Sequence, residues 1–248
     1  MSLLKSDLLV KDKVFRLQNI DLNNFRSAFK INTDGVLLAA WVRDFLGTES
    51  VLEIGTGTGV IACIIKSCKP SVRLDAIEPD RNSYLEALSN FEQNGFEDIK
   101  LRCLTVQDLI TQKALKHYDC IVCNPPYFMD STLPMDSSLW NAKHNISLGA
   151  DKLAEAASLL CVPGGRVYLI VPFIDSGLWQ KQFYANSFEL AERKDVKGRE
   201  DKPFIRSLLC FKLGSVHSAR YDSITLFEDD NRKRSDDYNK LVGDLYLK

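Results

Sequence analysis

The sequence predicts an α/β fold, a mostly parallel, doubly wound sheet with helices on both faces. Three observations predict it. Short apolar runs alternate with helix-like segments through the middle of the chain, the rhythm of βαβ units. The strand-like runs are apolar along their length, as in sheets covered on both faces. A glycine-rich turn joins the first of these strands to the first of these helices, where such sheets bind ligands.

The elements follow in order. Before the sheet, "VFRLQNIDL" alternates loosely enough for a strand or hairpin, and 33–46 reads as an amphipathic helix capped at Thr33 or Asp34. "SVLEI" (50–54) is the first core strand, and 60–68 is a helix stopped near Pro70. "VRLDAIE" (72–78) is the next strand. Helix 81–94 places Tyr84, Leu85, Leu88 and Phe91 on one face, with Gly95 after its end. "IKLRCLT" (99–105) is a strand, Asp108 to Lys116 a short helix, and "YDCIVC" (118–123) a further strand. A helix over 150–161 ends at Pro163 to Gly165, and "RVYLIVP" (166–172) is a buried strand. After a helix at 175–186, "FELAERKDV" and "FIRSLLCFKL" pair antiparallel and close the sheet edge. "SDDYNKLVGDLYLK" opens as a short helix on an acidic first turn. The expected organisation is one domain over 1–248, with 1–46 as an N-terminal cover and 47–248 as the core.

Bulk properties narrow the class. At 248 residues, 45% hydrophobic and 26% charged, the chain has the composition of a globular protein with a sizeable core. The N-terminal charges lie too close together for a signal peptide, and no run approaches the ~20 apolar residues of a membrane span. No membrane partner is expected, and the localisation implied is cytoplasmic. The seven cysteines read as reduced thiols. Cys120 and Cys123 have C-x-x-C spacing, but they share one strand, where residues three apart face opposite sides; no metal is expected. Net charge is −1, which gives no global polyanion signature. Locally, residues 1–30 hold six Lys/Arg against three Asp, and 192–220 hold eight against four acids. Such patches can hold a polyanion, or can be solvated faces.

The glycine turn, "LEIGTGTGV", carries Gly55, Gly57 and Gly59, with Thr56 between the first two. Val60 stands where a dinucleotide fingerprint needs its third glycine. The fit is instead acidic-x-G-x-G-x-G, beginning at Glu53. That pattern resembles motif I of the S-adenosylmethionine-dependent methyltransferases, and a carboxylate there suits a cationic sulfonium cofactor bearing an ammonium and suits pyrophosphate poorly. Glu78 ends the second strand, where a carboxylate can accept both ribose hydroxyls. Asp108 follows the third strand and reads as a helix cap or, as the resemblance to methyltransferases of this class implies, as a contact to the cofactor's adenine amino group.

The fourth strand runs straight into Asn124-Pro125-Pro126-Tyr127. Two prolines forfeit two backbone donors and stiffen the chain. The segment resembles motif IV, the N-P-P-[YF] signature of amino-methyltransferases acting on planar nitrogens, and an aryl amine is a poor nucleophile, because its lone pair is delocalised. If the Asn124 side-chain oxygen and the Pro125 carbonyl accept its two N–H bonds, charge developing on nitrogen is stabilised. Pro126 fixes that carbonyl, and Tyr127 can stack on the ring face.

These motifs resemble those of the S-adenosylmethionine-dependent amino-methyltransferases: the glycine turn is similar to motif I, and N-P-P-Y to motif IV. "FKINTDGVLLAAW" (29–41), "VCNPPYF", "LCVPGGRVYLIVP", "KPFIRSLLCF" and the terminal "SDDYNKLVGDLYL" resemble more narrowly the bacterial tRNA(Val) adenine-37 N6-methyltransferase family, over about residues 14–248. The resemblance implies a Rossmann-like class I methyltransferase with a seven-stranded sheet and an antiparallel C-terminal edge hairpin. It implies S-adenosylmethionine contacts at Glu53, Gly55, Thr56, Gly57, Gly59, Glu78 and Asp108, and an amine clamp at Asn124, Pro125 and Tyr127. Asp34 would lie in a segment folded over the cofactor, or would cap its helix. The implied partner is the anticodon loop of a tRNA, bound by a monomer, with stem phosphates on the two basic stretches. Lys143 and His144 stand where the family has an Arg-containing segment. The rival activities are N5-glutamine methylation of release factors and guanine-N2 methylation of ribosomal RNA. The first of these expects a helical substrate domain before the catalytic one, and only about 50 residues precede the glycine turn.

Overall fold

A computed structural model describes residues 14–27, 30–47, 49–112, 115–126, 148–229 and 233–247. Strand β3 (Ser50–Ile54) is buried along its whole length. It pairs in parallel with β4 (Arg73–Ile77) on one side and with β6 (Tyr118–Cys123) on the other. β4 pairs with β5 (Lys100–Arg102), and β6 with β7 (Cys161–Pro172), all parallel. Beyond β7 the sheet turns antiparallel, through β9 (Phe204–Leu213) to β8 (Phe188–Lys197). The chain winds outward from β3 to β5, then returns to β6 on the opposite side. The switch point therefore lies between the C-terminal ends of β3 and β6, where side chains from both halves can converge.

Alternation along each strand divides the core. Val51, Leu74, Cys120 and Val122 pack to one face, and Leu52, Ile77, Ile121 and Cys123 to the other. Cys120 and Cys123 thus belong to different cores. The first face is covered by α1 (Thr33–Arg43), α2 (Val60–Cys68) and α3 (Arg81–Gln93), the second by α4 (Val106–Ile110), α5 (Ala150–Leu160) and α6 (Ser176–Ala185). An antiparallel hairpin, β1 (Val14–Arg16) and β2 (Asp21–Asn23), precedes α1. The terminal helix α7 (Asp236–Val242), capped by Ser235, returns to α1, where Arg43 Nη2 reaches Asp244 Oδ1 at 2.6 Å.

The fold differs from the expectation in several places. β7 begins at Cys161 and takes in Pro163–Gly165, where the sequence predicts only the end of a helix. The sheet has eight strands rather than seven: β10 (Arg220–Thr225) adds in parallel to the outer edge of β8. Its pattern buries only Ile224, so its pairing rests on backbone bonds that local sequence does not advertise. α1 stops at Arg43, and its N-cap is Asn32, whose side chain accepts from Gly35 N, rather than Thr33 or Asp34. α4 begins at Val106, ahead of Asp108. In α3 the buried face is Ser83, Glu86, Ala87, Asn90 and Phe91, while Tyr84, Leu85 and Leu88 are only half-buried. That helix packs a polar row inward.

Candidate active site

The cleft at the switch point is lined by the glycine turn, Glu53, Glu78, Thr105–Gln107, Cys123–Pro126, Leu148, Lys152, and Lys30–Asn32 with Gly35 from the N-terminal segment. The glycine turn is built by backbone conformation. Gly55 and Gly57 have φ of 73° and 58°, in the left-handed region, and a Cβ on either would meet nothing within 4 Å. Their lack of a side chain leaves the backbone of the turn open to the cleft. Gly59 serves packing instead: an added Cβ would lie 2.6 Å from Phe91 Cε1, and Gly59 does not line the cleft.

Two carboxylates face this turn. Glu53 is 1% exposed; its Oε2 accepts from Thr56 Oγ1 at 2.7 Å and from Ala62 N at 3.1 Å. Its Oε1 is buried and has no hydrogen-bond partner. Burial pushes the Glu53 carboxyl up to about 8, against the pull of those two donors. A buried acceptor on the wall of a cleft, with nothing to accept, fits a cationic ligand group. Glu78 accepts from Gly57 N at 2.8 Å through Oε2 and from Asp80 N at 2.9 Å through Oε1. These bonds fix the carboxylate at the end of β4, and each oxygen keeps a lone pair for a ribose hydroxyl. Burial raises its pKa too, while the two N–H donors lower it.

Asp108 takes the capping role, one of the two readings the sequence offers, and is not among the residues lining the cleft. It forms a capping box with Thr105: Thr105 Oγ1 donates to Asp108 Oδ2 at 2.7 Å and accepts from Asp108 N at 3.1 Å. Thr105 holds the Asp108 carboxyl below its usual range. The carboxylate is exposed, and the neighbours Thr105, Val106 and Gln107 line the cleft in its stead. The T-x-x-D spacing was the available signal. Asp34 also stands outside the lining; its Oδ2 accepts from Arg206 Nε at 2.8 Å, tying α1 to β9. Of the other lining residues, Lys30, Ile31 and Asn32 lie in the 29–41 segment, from which the sequence singles out only Asp34, and Lys152 lies in no motif.

Asn124, Pro125 and Pro126 leave β6 at the cleft, on the opposite side of the switch point from Glu78. Tyr127, Lys143 and His144 lie outside the described residues. The basic tract at 192–220 is largely paired. Arg193 meets Asp195 at 2.8 Å, Lys194 meets Asp222 at 2.8 Å, Lys197 meets Glu200 at 2.6 Å, and Arg206 meets Asp34 at 2.8 Å. Arg199 and Lys202 pair with Asp201, and Arg220 with Glu192. The local charge excess is therefore smaller at the surface than in the sequence.

Comparison with known proteins agrees with this geometry. Residues 25–166 match the family model "Methyltransferase small domain". The tRNA1(Val) (adenine(37)-N6)-methyltransferase of Flavobacterium johnsoniae is 31% identical over 238 residues, covering 95% of this chain and all of that protein. The protein of the same name from Aliivibrio fischeri is 32% identical, covering 96% of this chain and 98% of its own length. Among solved structures, a predicted O-methyltransferase of Agrobacterium tumefaciens superposes with a TM-score of 0.64 at 17% identity, covering 87% of this chain and 98% of that one. A 16S rRNA N2 G1207 methyltransferase of Thermus thermophilus, in complex with AdoMet and guanosine, superposes with a TM-score of 0.55 at 18% identity, covering 82% of this chain and 50% of that one. The fold is that of Rossmann-like methyltransferases, and the chain belongs to the tRNA1(Val) (adenine(37)-N6)-methyltransferase family.

Proposed function

We propose that this chain methylates the exocyclic amine of adenine 37 in tRNA(Val), using S-adenosylmethionine. The observation that carries the reading is that Asn124–Pro126 and the two carboxylates Glu53 and Glu78 line one cleft. Glu53 Oε1 takes the ammonium end of the cofactor, Glu78 holds the ribose hydroxyls, and the Gly55–Gly57 backbone lets the ligand approach closely. The cleft residues around Val106 and Gln107 flank the adenine end. S-adenosylmethionine, when bound, supplies an already activated methyl carbon.

The chain's own part is alignment and charge stabilisation. Asn124 Oδ1 and the Pro125 carbonyl accept the two N–H bonds of the adenine amine. They turn its lone pair out of conjugation and stabilise the positive charge that grows as nitrogen attacks. The product ammonium is acidic, so no general base is required before transfer. Tyr127, assigned on its place in the motif alone, supplies an aromatic face for the base. An adenine in the anticodon loop is already partly unstacked, so turning it into the cleft costs only a few kcal/mol. The pair exposed on both sides, Lys202 with Asp201, is weak, so a phosphate can displace its carboxylate. The enzyme acts as a monomer of one domain, with residues 1–46 as its cover, in the cytoplasm.

Labelled methyl transfer to total tRNA, followed by nucleoside analysis, tests this. The label is expected in N6-methyladenosine. Label in another nucleoside, or transfer only to a release factor, would refute it.

A further inference from the structure

The polar row on the buried face of α3 has no part in the chemistry described above, yet it is heavily bonded. Glu86, 2% exposed, accepts three consecutive backbone N–H groups: Phe25 at 2.5 Å and Arg26 at 2.8 Å on Oε1, and Ser27 at 2.8 Å on Oε2. One turn earlier, Ser83 Oγ meets Ser27 Oγ at 3.0 Å. One turn later, Asn90, fully buried, accepts from Asn23 N at 2.7 Å and donates through Nδ2 to Asn23 O and to Thr58 O, at 3.1 and 2.8 Å. A buried carboxylate is costly unless its lone pairs are filled, and here backbone donors fill them.

These bonds lead to both walls of the cofactor cleft. On one side, the 23–27 strap is joined to the next stretch by Asn24 Oδ1, which accepts from Ile31 N at 3.2 Å, and by Lys30 Nζ, which donates to the carbonyls of Asn24 and Phe25. Lys30, Ile31 and Asn32 then line the cleft. On the other side, Thr58 belongs to the glycine turn and lines the cleft as well. One helix face therefore holds the N-terminal wall and the glycine turn at a fixed separation.

We propose that Glu86 and Asn90 are positioning residues for the cofactor, fixing the width of its cleft through the 23–27 strap with its bonds to Lys30 and Ile31, and through Thr58. The inference rests on the reading of this cleft as the S-adenosylmethionine site. Neither residue touches the reacting atoms, so their loss weakens cofactor binding and leaves the saturated turnover rate in place.

The test is direct binding of S-adenosylhomocysteine by calorimetry, with steady-state kinetics on tRNA. Glu86→Gln sets an amide donor against one of the backbone N–H groups. It is expected to raise Kd and the cofactor KM about tenfold or more, the scale of one charge-assisted hydrogen bond, with kcat within about twofold. Asn24→Ala leaves α3 intact and severs the link to Ile31; a smaller rise, about threefold or more, is expected. Tyr118→Phe, which removes a 2.8 Å bond to Asp75 away from the cleft, controls for general loss of stability and should leave Kd unchanged. Folded Glu86→Gln and Asn24→Ala proteins with wild-type Kd would overturn the inference, as would a fall in kcat at unchanged Kd. If Glu86→Gln does not fold, Asn24→Ala against Tyr118→Phe decides alone. A wild-type protein that binds no S-adenosylhomocysteine would refute the cofactor reading itself, which is a different outcome.

Discussion

Glu53 makes cofactor binding pH-dependent in a way that can be worked from the structure. Its carboxyl stands at about 8 in the empty protein against an ordinary 4.5, because it is buried with one oxygen unpartnered. At pH 7 the empty protein therefore holds the proton there for the most part. An ammonium placed against Oε1 requires the carboxylate, so binding must expel that proton. The expected result is a Kd for S-adenosylhomocysteine that falls about tenfold per unit between pH 5.5 and 7.5, with roughly one proton released at pH 7. Calorimetry in two buffers of different ionisation enthalpy counts that proton. Glu53→Gln should flatten the profile and weaken binding at pH 7.5 by about tenfold or more. The same raised pKa has the opposite sign for folding. A carboxyl whose folded pKa lies above its unfolded value stabilises the protein below pH 4.5, and that contribution is lost as pH rises through 8, about 5 kcal/mol in full. The empty protein should therefore melt lower at pH 8.5 than at pH 6, and Glu53→Gln should remove the difference. A Kd independent of pH with no proton released would refute the placement of the cation at Glu53.

Three further outcomes are expected. Asn124→Ala should lower kcat at least ~100-fold while leaving S-adenosylhomocysteine affinity within a few-fold, on the scale of one removed transition-state hydrogen bond; near-normal turnover would end the clamp. Gly59→Ala sets a Cβ 2.6 Å from Phe91 Cε1 at a φ of +82°, so it should destabilise by about 2 kcal/mol or more in thermal or urea unfolding. Asp34→Asn removes the charge from a part-buried pair with Arg206 outside the cleft lining, so it should cost about 1–3 kcal/mol of stability and change cofactor Kd less than threefold.

The parts of the fold legible in the sequence are those whose signal is local. The strand 50–54, the helix 60–68 and the strand 118–123 lie where the apolar runs place them, because each is buried nearly throughout. The eighth strand escaped notice because five of its six residues are polar or half-exposed and its partner β8 lies about 28 residues earlier in the chain. The buried face of α3 departs from its periodicity for a related reason. Periodicity assigns the buried side to Tyr84, Leu85 and Leu88, whereas Glu86 and Asn90 face inward because a strap 60 residues away supplies their hydrogen bonds. The same holds for charge: the tract at 192–220 reads as basic until its carboxylate partners are seen beside it.

The residue types needed for the reaction, and their order along the chain, are a property of the sequence alone: acid, three glycines, acid, then Asn-Pro-Pro, each after its own strand. Only the tertiary structure decided which of them meet. Glu53, Glu78, Gly55, Gly57 and Asn124 converge because the order of strand addition switches from one side of β3 to the other at β6, while Asp108, Gly59 and Asp34 are claimed by a cap, an aromatic ring and an arginine. A motif specifies chemistry within a few residues of itself; convergence depends on strand order and on the distant groups that compete for the same oxygen atoms.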